Sequence, residues 1–182
     1  MRKIIVEAEV SLDGVMNGPD YWGQVFKYHS HDVTDYLDNL LFEPDALLMG
    51  RATYEFFAEV WSAREGRNAE KINSMPKYVA SRTLDEPLVW NATLLEGDAA
   101  QAIAKLKQEP GSALLQYGVG ALTKTMLQHG LVDEIRLLVF PFTFGEGPRF
   151  FENIDTTTLK LLETRTFSTG VVALHYQPDN TG

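Results

Sequence analysis

Three short segments of the sequence combine glycine, hydroxyl and arginine side chains in a way that suits an anionic ligand. They are Met49-Gly50-Arg51-Ala52-Thr53, Ala80-Ser81-Arg82-Thr83 and Tyr117-Gly118-Val119-Gly120-Ala121. Arginine suits phosphate because its planar guanidinium donates two parallel hydrogen bonds and stays charged at any relevant pH. Glycines between a strand and a helix let an anion approach the backbone amides closely. The segments therefore favour a site for phosphate groups or a dinucleotide.

Each segment taken alone also fits a simpler explanation. Arg51 and Arg82 could form ordinary surface ion pairs, and Gly118 and Gly120 could serve only a turn with positive φ. The repetition strengthens the ligand hypothesis, because each segment follows an apolar strand. Ligands of open parallel sheets bind at the carboxyl ends of the strands.

Two acidic residues lie beside glycines where they could act on a substrate. Asp13 follows the first predicted strand and precedes Gly14, and it is the candidate catalytic residue for protonating or orienting the substrate. To donate a proton near neutral pH, its carboxyl group would need a pKa raised by burial. The alternatives are that Asp13 only caps the turn with Gly14, and that Glu146, flanked by Gly145 and Gly147, is a turn residue.

The composition gives no support to a metal site. The chain has no cysteine, which excludes disulfides and thiolate ligands. Among the four histidines, only His29 and His31 are close in sequence, and they have no third ligand nearby. We therefore predict no metal.

The charge balance restricts the partners of the protein. A net charge of −9, from 16 basic and 25 acidic side chains, repels nucleic acid. Glu7 and Glu9 interrupt the apolar run near the N-terminus, so we predict neither a signal peptide nor a membrane span. A cytoplasmic protein with a small-molecule substrate is expected.

The elements that must position these residues alternate between strands and helices. Hydrophobic periodicity and turn residues predict strands at residues 4–12, 46–49, 77–80, 88–90, 113–117, 135–140, 159–167 and 171–176. Helices are predicted at residues 33–42, 52–59 and 121–129, with a further helix between an N-cap at Asp98 and Pro110. The polar stretch that follows residue 59, through Asn68, reads as irregular. The long stretch between Asp13 and Val33 carries aromatic residues that look exposed, namely Tyr21, Trp22, Phe26 and Tyr28.

This alternation predicts the α/β class, with a mostly parallel sheet and an antiparallel hairpin at its end. We expect one domain over residues 1–178, followed by a short tail over residues 179–182. Alternating apolar residues at 135–142 could leave an edge or a face that needs cover, which favours a homodimer.

Four motifs in this order resemble the dihydrofolate reductase superfamily, in the branch built like the reductase domain of bacterial riboflavin biosynthesis and its stand-alone relatives. They are Ser11-Leu12-Asp13-Gly14, Met49-Gly50-Arg51-Ala52-Thr53-Tyr54-Glu55, Lys77-Tyr78-Val79-Ala80-Ser81-Arg82-Thr83-Leu84, and Gly130-Leu131-Val132-Asp133-Glu134 through Gly145-Glu146-Gly147. The resemblance spans nearly the whole chain. It implies a dihydrofolate reductase-like mixed sheet with helices on both faces.

The resemblance also implies NADPH as the cofactor. Gly50, Arg51 and Thr53 would approach the cofactor phosphates, and Ser81 and Arg82, with Thr83 beside them, would hold the 2′-phosphate of the adenosine ribose. The turn of Gly118, Val119, Gly120 and Ala121 would lie near the pyrophosphate and the nicotinamide. Two arginines near the ribose favour NADPH over NADH, because NADH has no second anion there.

The implied activity is that of dihydrofolate reductase or of 5-amino-6-(5-phosphoribosylamino)uracil reductase, acting on a pteridine- or aminopyrimidine-like heterocycle. Between residues 17 and 31, Lys27 is the only lysine or arginine, which disfavours a sugar phosphate. The folate-reducing members have adjacent glycines in the last loop, whereas Val119 separates two glycines here. The predicted substrate-binding residues are Trp22, Tyr54, Phe57 and Glu146.

Two other functions fit the same residues. The chain could be a nucleotide-binding module that keeps the cofactor site but does not turn over. It could also be an interaction protein in which the aromatic segment and the glycine turns serve only dimerisation.

Overall fold

The computed structural model describes residues 1–118 and 120–179, so Val119 and most of the predicted tail lie outside the described residues. The strands are β1 (Lys3–Ser11), β2 (Ala46–Gly50), β3 (Lys77–Ala80), β4 (Ala92–Leu94), β5 (Ala113–Tyr117), β6 (Glu134–Phe140), β7 (Leu159–Thr166) and β8 (Val172–Pro178). The helices are α1 (Tyr21–Val25), α2 (His31–Phe42), α3 (Arg51–Ser62), α4 (Arg67–Ser74), α5 (Ala99–Gln108) and α6 (Ala121–Gln128). A 3-10 turn, Phe26–Tyr28, follows α1.

All eight strands form one sheet in the order β4-β3-β2-β5-β1-β6-β8-β7. The pairs from β4 to β6 are parallel, and β8 is antiparallel to both β6 and β7. This arrangement confirms the predicted mixed α/β sheet with an antiparallel hairpin at its end.

Helices cover both faces of the sheet, and β1 is buried between them. On one face, Ile4 and Val6 pack with Ile103 of α5 and Met126 of α6. On the other face, Ile5 packs with residues of α2, α3 and α4. Because β1 is covered on both sides, the side chains of Glu7 and Ser11 are buried and that of Glu9 is half-buried, which becomes important for the site.

Two local predictions are wrong. Residues 67–74 form α4, whose Ala69 and Ile72 are buried, although the charged side chains around them hid this apolar face in the sequence. The predicted strand at residues 88–90 does not form, and β4 begins at Ala92 instead. Trp90 and its neighbour have φ values of 64° and 52°, which no strand adopts.

The acidic residue at the start of β6, Glu134, is buried and paired with basic side chains. Glu134 is 6% exposed, and its carboxylate accepts hydrogen bonds from Lys3 Nζ at 2.7 Å and Arg136 Nη2 at 2.6 Å. Burial alone would raise the pKa of Glu134, but these bonds outweigh it and lower the pKa to about 2. The residue is a structural anchor of the sheet.

The edges of the molecule bear on assembly. In the described residues, no helix combines the length and the apolar character needed to cross a membrane. β7 lies at the sheet edge with Leu161 and Leu162 exposed by 47% and 44%. The homodimer stays a prediction.

Candidate active site

The three glycine- and arginine-containing segments meet at one edge of the sheet. They follow β3, β2 and β5, which are neighbours and run parallel, so their carboxyl ends lie side by side. Arg51 Nη1 donates a hydrogen bond of 2.8 Å to Thr83 Oγ1, which joins the first two segments. The hydroxyl of Thr53 lies against Gly118, which joins the first and third. The structure therefore brings the residues of the predicted cofactor site together.

Gly118 is required at its position for two reasons. Its φ is +78°, in the left-handed region that favours glycine. A Cβ atom there would lie 2.1 Å from Thr53 Oγ1, far inside the contact distance. Gly50 and Gly120 differ, because no atom lies within 4 Å of their Cβ positions. Open space therefore lies in front of these two glycines.

Two helices point uncapped N-termini at this space. Gly50 is the N-cap of α3 and Gly120 is the N-cap of α6, and neither end has a side-chain capping bond. The described N-termini of α1, α2 and α4 also lack such a bond, whereas α5 is capped by Asp98, which accepts from the Gln101 N–H at 3.0 Å. The first amides of a helix have no partner within it and carry partial positive charge, so they suit an anion.

The two arginines remain available to a ligand. Arg51 is 51% exposed, and its Nε donates to Glu55 at 2.8 Å in a surface ion pair that contributes little to stability. Arg82 is exposed and makes no side-chain hydrogen bond or ion pair with any described residue. Ser81 Oγ accepts from the N–H groups of Thr83 and Leu84, which fixes the turn after β3. Neither guanidinium is buried against an internal carboxylate.

Asp13 lies at the same edge, after β1, but as a structural anion. Its carboxylate accepts hydrogen bonds from Ser11 Oγ at 2.6 Å and from the N–H groups of Phe144 and Gly145 at 3.0 and 2.8 Å. The Ser11 bond, followed by the Phe144 bond, lowers the pKa of Asp13 to about 2. Proton donation would need the opposite shift, which counts against Asp13 as the proton donor, and its part in orienting the substrate stays a prediction. The residue instead holds the loop around Gly145 onto β1.

This role of Asp13 gives a stability prediction. We expect Asp13→Asn to lower Tm by about 2–4 °C at neutral pH, the effect of roughly 1 kcal/mol in a chain of this size. The amide group would place its NH2 against a backbone donor. Because the folded pKa lies below the ordinary 3.8, the stabilisation exists above pH 4 and disappears as the pH falls toward 2. Thermal unfolding at pH 7 and pH 2 measures both effects.

Asp85→Asn is the matched control, since Asp85 is exposed and has no side-chain partner within the described part of the chain. Equal Tm values for the Asp13 variant and the unmodified protein at pH 7 would show that the loop is not held by this carboxylate.

Two of the four predicted substrate-binding residues, Trp22 and Phe57, lie in aromatic groups near β1. Trp22 is 40% exposed and its ring centroid lies 6.0 Å from that of Phe26. Phe26 in turn contacts His29, whose Nε2 lies 2.9 Å from a carboxylate oxygen of Glu9 on β1. The Phe57 ring lies 5.5 Å from that of Tyr117.

The other two predicted substrate-binding residues, Tyr54 and Glu146, do not lie in these aromatic groups. Tyr54 is 5% exposed in the core, and its hydroxyl donates to the Val89 carbonyl and accepts from the Val89 N–H. It anchors the segment before β4 and is not open to a substrate. Glu146 is exposed in the loop that Asp13 holds, and its side chain has no partner in residues 1–118 and 120–179.

The sequence reasoning missed Glu7 and Glu9, which share one face of β1 with Ser11. Glu7 lies opposite Tyr117 in the register with β5, so the two side chains lie on the same face of the sheet. The alternation of Ile5, Glu7, Glu9 and Ser11 in the sequence places the two glutamates on one face of β1. Their burial could only be recognised once helices were known to cover that face as well.

Comparison with known proteins identifies relatives over almost the full length of the chain. The family model of the RibD C-terminal domain matches residues 2–173. The protein YyaP of Bacillus subtilis (strain 168), itself uncharacterized, is 34% identical over 184 residues, covering 96% of this chain and 94% of YyaP.

Solved structures share the fold. A putative riboflavin biosynthesis protein from Shewanella sp. PV-4 superposes with a TM-score of 0.78 at 22% identity, covering 98% of this chain and 99% of that one. Dihydrofolate reductase from Enterococcus faecalis, solved with NADP(H), gives a TM-score of 0.64 at 15% identity and covers 98% and 97% of the two chains.

Proposed function

We propose that this chain, which belongs to the RibD C-terminal domain family, is an NADPH-dependent reductase that transfers hydride to a small heterocyclic substrate. The fold is that of known reductases. The observation that carries the proposal is the convergence of three strand-to-loop segments at one edge, with two uncapped helix N-termini and open space before Gly50 and Gly120.

The residues present fit the phosphate groups of NADPH. The amides that follow Gly50 and Gly120 suit the pyrophosphate, since both glycines leave room for an anion against the backbone. Arg82, with Ser81 and Thr83, suits the 2′-phosphate, and Arg51 lies within reach of the same group through its bond to Thr83. When bound, the dihydronicotinamide supplies the hydride, and the protein supplies its position.

Cofactor titration tests the proposal directly. We expect NADPH to bind at micromolar concentration and NADH at least about tenfold more weakly, since NADH lacks the second anion that Arg82 would pair with. Fluorescence of the reduced nicotinamide measures both. Binding of NADPH without its oxidation by any pteridine or pyrimidine would instead support the nucleotide-binding module.

A single substitution tests the assignment of the 2′-phosphate. We expect Arg82→Ala to weaken NADPH binding by roughly 10- to 100-fold, about 1.4–2.7 kcal/mol, and to leave NADH binding unchanged. The ratio of the two dissociation constants is the readout.

Arg64→Ala is the matched control, because Arg64 follows the far end of α3 and stacks on Trp61 at 4.7 Å. If Arg82→Ala weakens NADPH and NADH equally, the arginine does not recognise the 2′-phosphate and this part of the proposal fails.

A further inference from the structure

A cavity of about 280 Å³ adjoins the predicted cofactor site and has no assigned ligand. Gly120, Ala121 and Lys124, at the start of α6, line one side of it. Residues 148–154, which follow β6, line the other side, and Met16 from the loop after β1 completes the lining. The cavity therefore begins at Gly120, the glycine to which we assign a phosphate of the cofactor.

Two basic side chains of this cavity have no carboxylate partner. Lys124 is half-buried, and its Nζ makes no hydrogen bond or ion pair with any described residue. The exposed Arg149 guanidinium donates only to backbone carbonyls, from Nε to Asp13 at 3.3 Å and from Nη2 to Gly145 at 2.8 Å. The acidic residue of the lining, Glu152, accepts from the Arg149 backbone N–H at 3.3 Å. The cavity is thus positively charged in a protein of net charge −9, and such a cavity concentrates anions.

The Arg149 guanidinium is already fixed beside the cavity. Its backbone pairs with Val15 in an isolated antiparallel bridge, and the next residue, Phe150, donates its N–H to the Gly14 carbonyl at 3.0 Å. The loops after β1 and β6 consequently form one unit, which the carboxylate of Asp13 also holds. Little ordering is needed for Arg149 to bind an anion, and such preorganisation favours affinity.

The strand order places the cavity on one side of the proposed cofactor. Arg82 follows β3, on one side of β5, whereas the cavity is lined by the loops after β1 and β6, on the other side. In the sheet order, β3 and β6 are four strand spacings apart, or about 19 Å. A dinucleotide with its 2′-phosphate at Arg82 and its pyrophosphate near Gly120 would extend its other half toward β1 and β6. That half carries the nicotinamide.

We propose that the cavity holds the phosphate and ribose on the nicotinamide side of NADPH, and that Lys124 and Arg149 position this phosphate. The inference rests on the cofactor binding proposed above. Arg149 Nη1 and Lys124 Nζ, which have no partner among the described residues, supply charge-assisted hydrogen bonds. The half-buried Met16 and the buried Phe150 offer apolar contact to the ribose. Arg82 would then bind one end of the cofactor, and this pair of cations the other.

Fragments of the cofactor separate the two ends. 2′,5′-ADP contains the half assigned to Arg82, and reduced nicotinamide mononucleotide contains the half assigned to the cavity. We expect Lys124→Gln and Arg149→Gln each to weaken NADPH and the mononucleotide about tenfold, and to leave 2′,5′-ADP within about twofold. Nicotinamide fluorescence and calorimetry measure these affinities. Lys124→Arg should keep NADPH affinity within about threefold, because the charge is retained.

Two controls separate this role from a structural one. Lys124→Gln removes no hydrogen bond or ion pair to a described residue, so its Tm should equal that of the unmodified protein. Its NADPH affinity should also depend less on NaCl concentration, since one charge fewer is screened. Lys160→Gln is the matched control variant, because Lys160 is exposed on β7 and its side chain has no partner in the described ranges. It should bind NADPH as the unmodified protein does.

Three results would overturn the inference. Unchanged NADPH affinity in both variants would show that neither cation contacts the cofactor. Equal weakening of NADPH and 2′,5′-ADP would show that they do not act on the nicotinamide half. Binding of ribose 5-phosphate to the protein saturated with NADP⁺, if lost in Lys124→Gln, would show that the cavity takes an anion of the substrate instead.

The same titrations separate this inference from the proposed function. If the unmodified protein binds NADPH and Arg82→Ala weakens it, while both cavity variants bind normally, only the assignment of the cavity fails. Absence of NADPH binding by the unmodified protein would overturn both.

Discussion

Replacing Gly118 with alanine is expected to destabilise the protein by about 2–5 kcal/mol and to abolish cofactor binding. The left-handed φ of +78° costs a non-glycine residue roughly 1–2 kcal/mol. The new methyl group would overlap Thr53 Oγ1 at 2.1 Å, and such overpacking costs about 1–3 kcal/mol more. Because Gly118 and Thr53 lie on different segments of the site, the overlap would also separate those segments. Chemical denaturation and NADPH titration measure the two effects.

A second substitution distinguishes the overlap from the backbone strain. Thr53→Ala removes the Oγ1 atom at 2.1 Å and the Cγ2 atom at 3.4 Å from the new methyl group. The double variant should therefore recover about 1–3 kcal/mol relative to the sum of the single changes. Additive effects would show that the third segment does not approach the first as closely as described.

Gly50→Ala and Gly120→Ala are also expected to weaken cofactor binding, but with little change in the stability of the protein. Their Cβ positions have no neighbour within 4 Å, and their φ values of −82° and 169° are accessible to alanine. In the complex, each methyl group would occupy space that we assign to a phosphate. We expect NADPH affinity to fall by roughly 100-fold, about 2.7 kcal/mol, in each variant.

Thermal unfolding is the control for these two variants, since an unchanged Tm shows that the site is otherwise intact. Unchanged NADPH affinity in both would mean that the phosphates do not approach the backbone at these glycines, and the binding mode proposed here would have to be abandoned.

The architecture could be predicted because its signals are local. Strands such as Ala113–Tyr117 are continuous apolar runs, and Asp98 caps its helix as expected. The failures occurred where tertiary contacts decide. Leu88-Val89-Trp90 has strand-forming residues, but Trp90 is fixed by a 2.7 Å bond from its Nε1 to Asn73 of α4, a helix whose apolar face comprises few residues.

The site was predicted in part for the same reason. The cofactor segments could be found because parallel strands bring their carboxyl ends together whenever they are neighbours. Tyr54, Asp13 and Glu7 could not be assigned, since their roles depend on partners distant in the chain. Tyr54 is bound to Val89, Asp13 is bound to the Phe144 and Gly145 amides, and the buried Oε1 of Glu7 has no hydrogen-bond partner among the described residues.

A crystal structure of the protein soaked with NADPH tests the central claim most directly. We predict the pyrophosphate at the amides that follow Gly50 and Gly120, and the 2′-phosphate within hydrogen-bonding distance of Arg82. Density for the cofactor elsewhere, such as the cavity of about 510 Å³ between the C-terminal half of α6 and residues 154–157, would contradict the account. So would a soaked crystal in which both arginines remain unpaired and the space before both glycines holds only solvent.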